Sequence, residues 1–496
     1  NLDNNIVELS LFVDEGEAST IKEIKIIGNK TFSSRQLKSL IKSGPKYWFE
    51  VWSDKDIYNS TLLDQDIEAI RDYYLNRGFA KFRIVSKQVN LSPNKEDIFV
   101  TLSISEGNLY KFGKTIVYGL EGFDSELFTN VVNYNLSSGT SFSRAKIEST
   151  KTSIEFLLGE QGYAFPSVFS NVDLKDDSDY VDITFRVDPK KKSFVRRINI
   201  KGNSKTNDEV YRRELRQFES SVYSENKVER SKIRLQRLKF VNEVEIDKKI
   251  IDEDTGLIDI DFILEETQSG EFKVGAGYSD SSGTIFNVKI QQDNFLGKGN
   301  NVVIEVEKSS YRQFVRYINE DPYFTKDGIS KATSLVFSET DVSSTSTASY
   351  LSDTIAYGVN YNVPISESRS YGYGAEIDFT KYTKTVGSPA NVSSFIDKHG
   401  SSHLGILFNA SIAEDTRDRT VYATQGKRQS LSSKFYIPPD LDYSYAQITF
   451  NAEYNSPFTL NFLDMFDWNT SFQIKPQLGF GIGLLGSSDL PFHDKY

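Results

Sequence analysis

Cysteine and histidine, the side chains most often used for nucleophilic and acid–base work near neutral pH, are scarce in this chain. Its 496 residues include no cysteine and three histidines, which argues against a thiol nucleophile, a disulfide framework or a cysteine metal site. His399 and His403 fall in a glycine- and serine-bearing stretch and read as parts of a solvated surface loop, not as metal ligands. Asp415, Arg417, Asp418 and Arg419 read as a charged turn between two strands. Neither a Walker sequence nor a convergent nucleophile–base set can be picked out, so no enzyme activity, cofactor or metal is expected. The remaining chemistry is that of the backbone, whose N–H and C=O groups must be paired wherever water is absent. Glu271-Phe272-Lys273-Val274-Gly275-Ala276-Gly277-Tyr278 has the pattern of a strand that could offer such groups along an edge. Gly275 and Gly277 either lighten that edge for an approaching backbone or fit the curvature of the sheet.

Stepping outward, the elements that would hold this edge fall into two kinds. Residues 20–267 repeat one order three times: strand, two helices, two strands. In the first copy the strand Ile21–Ile27 closes at Gly28-Asn29. A short helix from Ser34 to Lys42 follows, then a longer one with Leu63, Ile67, Ile70 and Tyr74 at helical spacing. Gly78 stops that helix by taking a left-handed conformation. Strands over Lys81–Leu91 and Ile98–Ile104 complete the unit. The second copy stops its long helix at Gly162, and the third has Lys239 at that place and must end differently. The expected domains are residues 20–107, 110–189 and 193–267, preceded at 1–17 by the end of another such unit.

Beyond about residue 268 the period changes to two. Ala446, Ile448, Phe450, Ala452 and Tyr454 alternate with Gln447, Thr449, Asn451 and Glu453, as half-buried strands do. About eleven such strands are expected over 270–496, the last at 468–483, with no helix among them. Connections after the second and fourth are tight and glycine-bearing, and those after the fifth and seventh are longer and rich in Ser and Thr. That asymmetry marks outer-membrane barrels. An odd count leaves the sheet unable to close, and the chain is expected to stop before its barrel is complete. The 27 tyrosines and 35 phenylalanines suit either interfacial girdles or the core of a β-sandwich. No run of eighteen apolar residues encodes a spanning helix. The first residues lack the basic start and apolar core of a signal peptide. A net charge of −11 argues against a nucleic-acid partner.

Several stretches carry a resemblance to a known family. They are Asp72–Phe79, Leu158–Pro166 and Val195–Asn203 in the repeats, with Gln291–Gly297, Asp321–Phe324 and Asp415–Arg419 in the strand-rich part. In that order they resemble the BamA family of outer-membrane β-barrel assembly factors, in which POTRA repeats feed a barrel. The resemblance implies three α+β POTRA domains, third-, fourth- and fifth-like, followed by an all-β antiparallel transmembrane barrel that is incomplete. Ile6–Gly16 resembles the last strand of a preceding POTRA unit. Leu490–Tyr496 resembles the start of the long sixth loop, with five further strands expected after it. The location implied is the outer membrane, with the repeats in the periplasm.

The resemblance also implies roles. Glu271 to Tyr278 would form a lateral seam at which strands of unfolded outer-membrane clients, delivered with periplasmic chaperones, are added. Val89 and Leu91, on the edge strand of the first repeat, match positions that contact a BamB-like lipoprotein, or else are ordinary strand-end packing. Glu214 matches a carboxylate that contacts a BamD-like lipoprotein. On residue type alone it reads as a solvated charge among arginines. Outer-membrane lipid is the remaining partner. The alternative is an export pore of the two-partner-secretion class or a TamA-like translocation and assembly factor.

Overall fold

The computed structural model describes residues 19–46, 54–175, 178–279, 283–341, 350–418, 423–462 and 466–485. The readings of residues 1–17, Arg419 and Leu490–Tyr496 lie outside the described residues. Two compact units divide the chain: one holds the first two repeats, the other nearly all of the third repeat together with the strand-rich wall.

In the first repeat, Ser33 starts the short helix Ser34–Ser39 through a reciprocal capping box with Gln36. The long helix Ser60–Leu75 buries Leu63, Ile67, Ile70 and Tyr74, the residues its spacing marked. They cover a three-stranded sheet in which Asp97–Ser105 lies between Thr20–Ile27, parallel to it, and Arg83–Leu91, antiparallel. Ile98, Val100, Leu102 and Ile104 project from the central strand into the core. The second repeat builds the same sheet from Lys111–Tyr118, Tyr180–Asp188 and Ser167–Leu174. The third adds a two-residue strand, Ser221–Val222, that the sequence did not announce, beside Phe194–Lys201, Leu257–Glu266 and Val241–Asp252. In each sheet the strand that follows the helices stands at the edge, as expected.

One glycine recurs after the opening strand of every repeat. Gly28, Gly119 and Gly202 all have φ near +90°, and a Cβ on each would meet a carbonyl oxygen, of Ile104, Val187 and Leu264, at 2.2, 2.0 and 2.0 Å. No side chain fits that approach, so the residue is dictated three times over.

The wall is a twelve-stranded antiparallel sheet, open among the described residues. Its strands are Gly270–Ser279, Gly283–Phe295, Asn300–Lys308, Arg312–Asp321, Ser330–Asp341, Tyr350–Pro364, Arg369–Lys384, Ser402–Asp415, Gly426–Ile437, Tyr445–Phe462, Phe466–Ile474 and Gln477–Gly483. The expected eleventh strand at 468–483 is broken in two, and both pieces pair with Tyr445–Phe462. The break falls at Lys475-Pro476, where proline has no N–H to give a ladder; its carbonyl instead accepts from the Ala452 amide at 3.0 Å. A second correction concerns the connection after the seventh strand. It carries a helix, Ala390–His399, that buries Val392 and Ile396. Apolar residues four apart hold this helix down and the His399 side chain at its end is covered, while His403 is buried on the strand Ser402–Asp415, so neither belongs to a solvated loop.

Register decides which face meets what. Val274, Val288, Val306, Val315, Phe337, Ile355, Phe379 and Leu404 are successive cross-strand partners across eight strands. A neighbouring row runs Ile290, Ile304, Tyr317, Leu335, Tyr357, Ile377 and Ile406. Nearly all of these side chains are exposed or half-exposed, while their in-strand neighbours on the other face include Thr354, Asp378, Thr380 and His403. A continuous exposed apolar band backed by a polar face is the inverse of a soluble sandwich and fits a wall that lipid covers.

Candidate functional site

Two places stand out: the free edge of the wall, and the joint where the wall meets the third repeat. At the edge, Gly270–Ser279 pairs with Gly283–Phe295 from Gly270↔Gln292 to Ser279↔Gly283. Among the described residues its other side pairs with nothing. Phe272, Val274 and Tyr278 are 68%, 66% and 76% exposed. Alternating with them, Glu271 and Lys273 form an ion pair at 2.8 Å. Neither Gly275 nor Gly277 has positive φ. A Cβ at Gly277 would meet nothing within 4 Å, and one at Gly275 would meet only the Asn287 side chain at 3.3 Å. No packing contact among the described residues therefore requires either glycine.

The joint is made from the turns the sequence had flagged. The turn after the second wall strand bends through Leu296, Gly297 and Gly299, all with positive φ. Gly297 lies so close to the third repeat that a Cβ would meet the Lys205 carbonyl oxygen at 2.6 Å. Its own carbonyl accepts from the Asn207 amide at 3.0 Å. Asn294, buried, donates to the Thr206 hydroxyl at 2.7 Å and accepts from the Gly299 amide at 2.8 Å. Lys239, standing where the other repeats have a helix-stopping glycine, pairs with Asp293 at 3.0 Å.

Beside this contact, Arg234 gathers three partners. It donates to Glu214 at 2.6 Å, to Glu367 at 2.9 Å and to the Tyr323 hydroxyl at 3.0 Å. Arg216 holds the other oxygen of Glu367 at 2.9 Å, and the Arg213 guanidinium stacks over the Tyr323 ring at 4.4 Å. Burial would lower the Arg234 pKa, but Glu214, Tyr323 and Glu367 outweigh it and raise it above the ordinary value. Glu214 is 6% exposed. The solvated-charge reading is therefore corrected: Arg234 neutralises this carboxylate inside the joint. Sequence spacing could not reveal a partner drawn from the next helix, nor that Tyr323 belongs to the same cluster.

The other flagged residues are placed apart from these two sites. Val89 and Leu91, 37% and 51% exposed, lie on the edge strand Arg83–Leu91 of the first repeat. The charged turn after Asp415 is present: Arg417 bonds Asp415 at 2.8 Å and Glu453 at 3.2 Å, and Asp418 accepts from the Thr424 amide at 3.0 Å. Gly426 closes it, with φ +97° and no room for a Cβ beside the Thr416 carbonyl. No cluster of potential metal ligands occurs among the described residues.

Comparison with known proteins agrees with this architecture. Residues 19–107, 110–190 and 193–267 each match the POTRA family, described as a surface antigen variable number repeat. Residues 294–496 match the Omp85 superfamily domain. The outer membrane protein assembly factor BamA of Neisseria meningitidis serogroup B is 25% identical over 514 residues, covering 100% of this chain and 62% of that protein. The chain is a BamA-type POTRA-barrel protein. BamA of Buchnera aphidicola subsp. Acyrthosiphon pisum is 31% identical over 322 residues, 65% of this chain and 52% of the relative. This BamA-type chain thus spans a little over half the length of these curated relatives. The crystal structure of BamA from Haemophilus ducreyi lacking POTRA domains 1-3 shares the fold, with TM-score 0.57 and 24% identity over 78% of this chain and 73% of that one. As in BamA-type proteins, the wall belongs to the outer membrane and the POTRA repeats to the periplasm.

Proposed function

We propose that this BamA-type protein folds and inserts β-barrel proteins into the outer membrane, using Glu271 to Tyr278 as a template edge. The observation that carries the reading is a wall strand paired on one side only among the described residues, at the start of a continuous apolar band. A strand entering hydrocarbon must have its backbone groups paired, since each unpaired group costs on the order of several kcal/mol. An edge already at membrane depth supplies those pairs by β-augmentation. Gly275 and Gly277, which no packing contact among the described residues requires, leave that edge free of bulk. Client folding supplies the free energy, so the protein acts as a scaffold and not as an enzyme.

In the same reading the repeats are docking surfaces. The BamB-like lipoprotein contacts Val89 and Leu91 on an exposed edge, and unfolded clients arrive there with periplasmic chaperones. Glu214 serves the BamD-like lipoprotein, whose cation must join Arg234 or displace it. Depletion tests the assembly role. The levels of many unrelated outer-membrane barrels should fall together. Loss of a single secreted client would favour instead the export pore or the TamA-like factor.

A further inference from the structure

The helix Ala390–His399 lies against the polar face of the wall, and two imidazoles are built into its exit. Phe395 is the central contact, with ring centroids 6.2 Å from Tyr382, 5.4 Å from Tyr443, 5.2 Å from His403 and 5.1 Å from His399. It packs against one cluster containing Tyr382, Val392 and Ile396 and against a second containing Tyr436, Tyr443 and Tyr445. Gly400 ends the helix with φ +84°, its amide donating to the Ile396 carbonyl at 2.9 Å. His403 is 3% exposed. Its Nε2 faces the Gly400 carbonyl at 3.0 Å, and a carbonyl can only accept, so Nε2 carries the proton. Nδ1 is thereby left to accept from the Tyr443 hydroxyl at 2.8 Å. The His399 side chain, 6% exposed, packs on Phe395 and Tyr443 with Nδ1 3.8 Å from the Asp442 carboxylate.

The hydrogen bonds place His403 as a neutral ring, and burial, with Lys398 nearby, favours the neutral form of His399. A second proton on His403 would meet the Tyr443 oxygen, force that hydroxyl to turn, and leave a charge among aromatic rings. The titratable and charged groups around the pair come from each packed element. The helix brings Asp397, paired with Lys384, and Lys398; the segment before Tyr445 brings Asp440, Asp442 and Tyr443; the flanking strands bring Tyr350, Glu376, Asp378, Tyr382, Tyr436 and Tyr445. Burial and Lys398 lower the His399 pKa, and Asp442 and Asp440 offset only part of this.

We propose that the helix Ala390–His399 is a latch on the polar face of the wall, closed while His399 and His403 are neutral and opened when they take up protons. Because docking prefers the neutral rings, it is complete above the ordinary imidazole pKa of about 6.5 and weakens as pH falls below it. Phe395 and His403 form one wall of a cavity of about 340 Å³ whose other walls include Tyr382, Tyr436, Thr380 and Asp378, and opening removes the Phe395 side of it.

The test is amide hydrogen exchange over residues 390–400 in the full chain in lipid nanodiscs, corrected for intrinsic rates, together with NMR titration of the histidine rings. Between about pH 7.5 and about pH 5, exchange should rise about tenfold with a midpoint that follows the ring titration. The double variant H399N/H403Q, which cannot take up the protons, should lose that step, and Phe395→Ala should exchange fast at both pH values. Unchanged protection across this range in the wild type, or an undiminished step in the double variant, overturns the latch. Should the double variant not fold, a wild-type exchange step that departs from the ring titration overturns it equally.

Discussion

The first and second repeats close the same turn with different chemistry. In both, a glycine after the opening strand touches a carbonyl of the last strand. In the first repeat, Glu106, two residues beyond that carbonyl, is buried and accepts from the Lys30 amide at 2.7 Å, the Thr31 amide and hydroxyl at 3.0 and 2.7 Å, and the Tyr74 hydroxyl at 2.8 Å. In the second repeat, Pro189 stands two residues beyond Val187, and the place of Tyr74, four residues before the helix-stopping glycine, is held by Leu158. There the turn is filled by Phe123 alone, edge-on to Phe128 at 6.1 Å and to Tyr163 at 5.3 Å. In the first repeat Phe32, at the same place, packs edge-on to Tyr74 at 5.1 Å and Phe79 at 5.8 Å in addition to the carboxylate. The third repeat returns to the carboxylate: Glu266 accepts from the Ser204 and Lys205 amides, each at 2.9 Å, and from Tyr211 at 2.8 Å. Its tyrosine comes from the short helix and not the long one. What the fold demands is the closed turn. The second repeat closes it with the aromatic plug alone, the third with the polar pin and Thr206 at the place of the plug, and the first with both. The third repeat uses the pinned loop again as the seat for the wall turn at Asn294.

The largest effect is expected from removing a pin. Glu106→Ala leaves two amides and the buried Tyr74 hydroxyl without their shared acceptor, at a cost of about 3 kcal/mol. Urea unfolding should show the loss, and hydrogen exchange should locate it at Lys30 and Thr31 while the second repeat keeps its protection. Equal loosening of both repeats would mean that they melt as one and that the comparison fails.

A smaller, graded difference should follow pH. Burial tends to raise the Glu266 pKa, but hydrogen bonds from Thr206, Tyr211, Lys205 and Ser204 outweigh it and hold the group at about 2. Glu106 is likewise pushed up by burial and carried below its usual value by Thr31, Lys30 and Tyr74. Both pKa values are depressed on folding, so the stability they contribute is full above the unfolded value of about 4.3. It fades as pH falls from there toward the folded values. Exchange measured through that window should show the turns at 28–31 and 202–206 loosening while 119–123, which Pro189 leaves without a carboxylate pin, holds.

Much of this was legible from residue order. Helix faces, stopping glycines, edge strands and the alternation of the wall follow from local rules, and the structure keeps them. The pins escaped notice because Glu106 and its amides are 75 and 76 residues apart, and a terminal glutamate looks like any solvated charge. Glu214 was singled out, but its pairing with Arg234 was not, because the partner comes from the next helix, 20 residues on. The histidines misled because glycine and serine around them suggested a loop, while Val392, Phe395 and Ile396 were enough to seat a helix. The edge at Glu271 to Tyr278 could be read because alternation and two glycines are local signals. Its use by a client depends on a second chain, which no spacing within this one encodes.

The smallest effect tests whether the pin is one residue or a set. Pro189→Glu puts a carboxylate at the place of Glu106 and Glu266 in the second repeat. It should change stability by no more than about 0.5 kcal/mol, because Leu158 offers no hydroxyl and the exposed new charge stays in water. Adding Leu158→Tyr supplies the missing donor but puts an extra hydroxyl and a larger ring where the core is already full, which alone costs about 1–3 kcal/mol. The informative quantity is therefore the coupling in the double-mutant cycle. It should favour the pair by about 1 kcal/mol if tyrosine and carboxylate work as a unit. A gain of that size from Pro189→Glu alone would show that turn amides suffice, and the tyrosines of the first and third repeats would then be packing residues that happen to reach the acid.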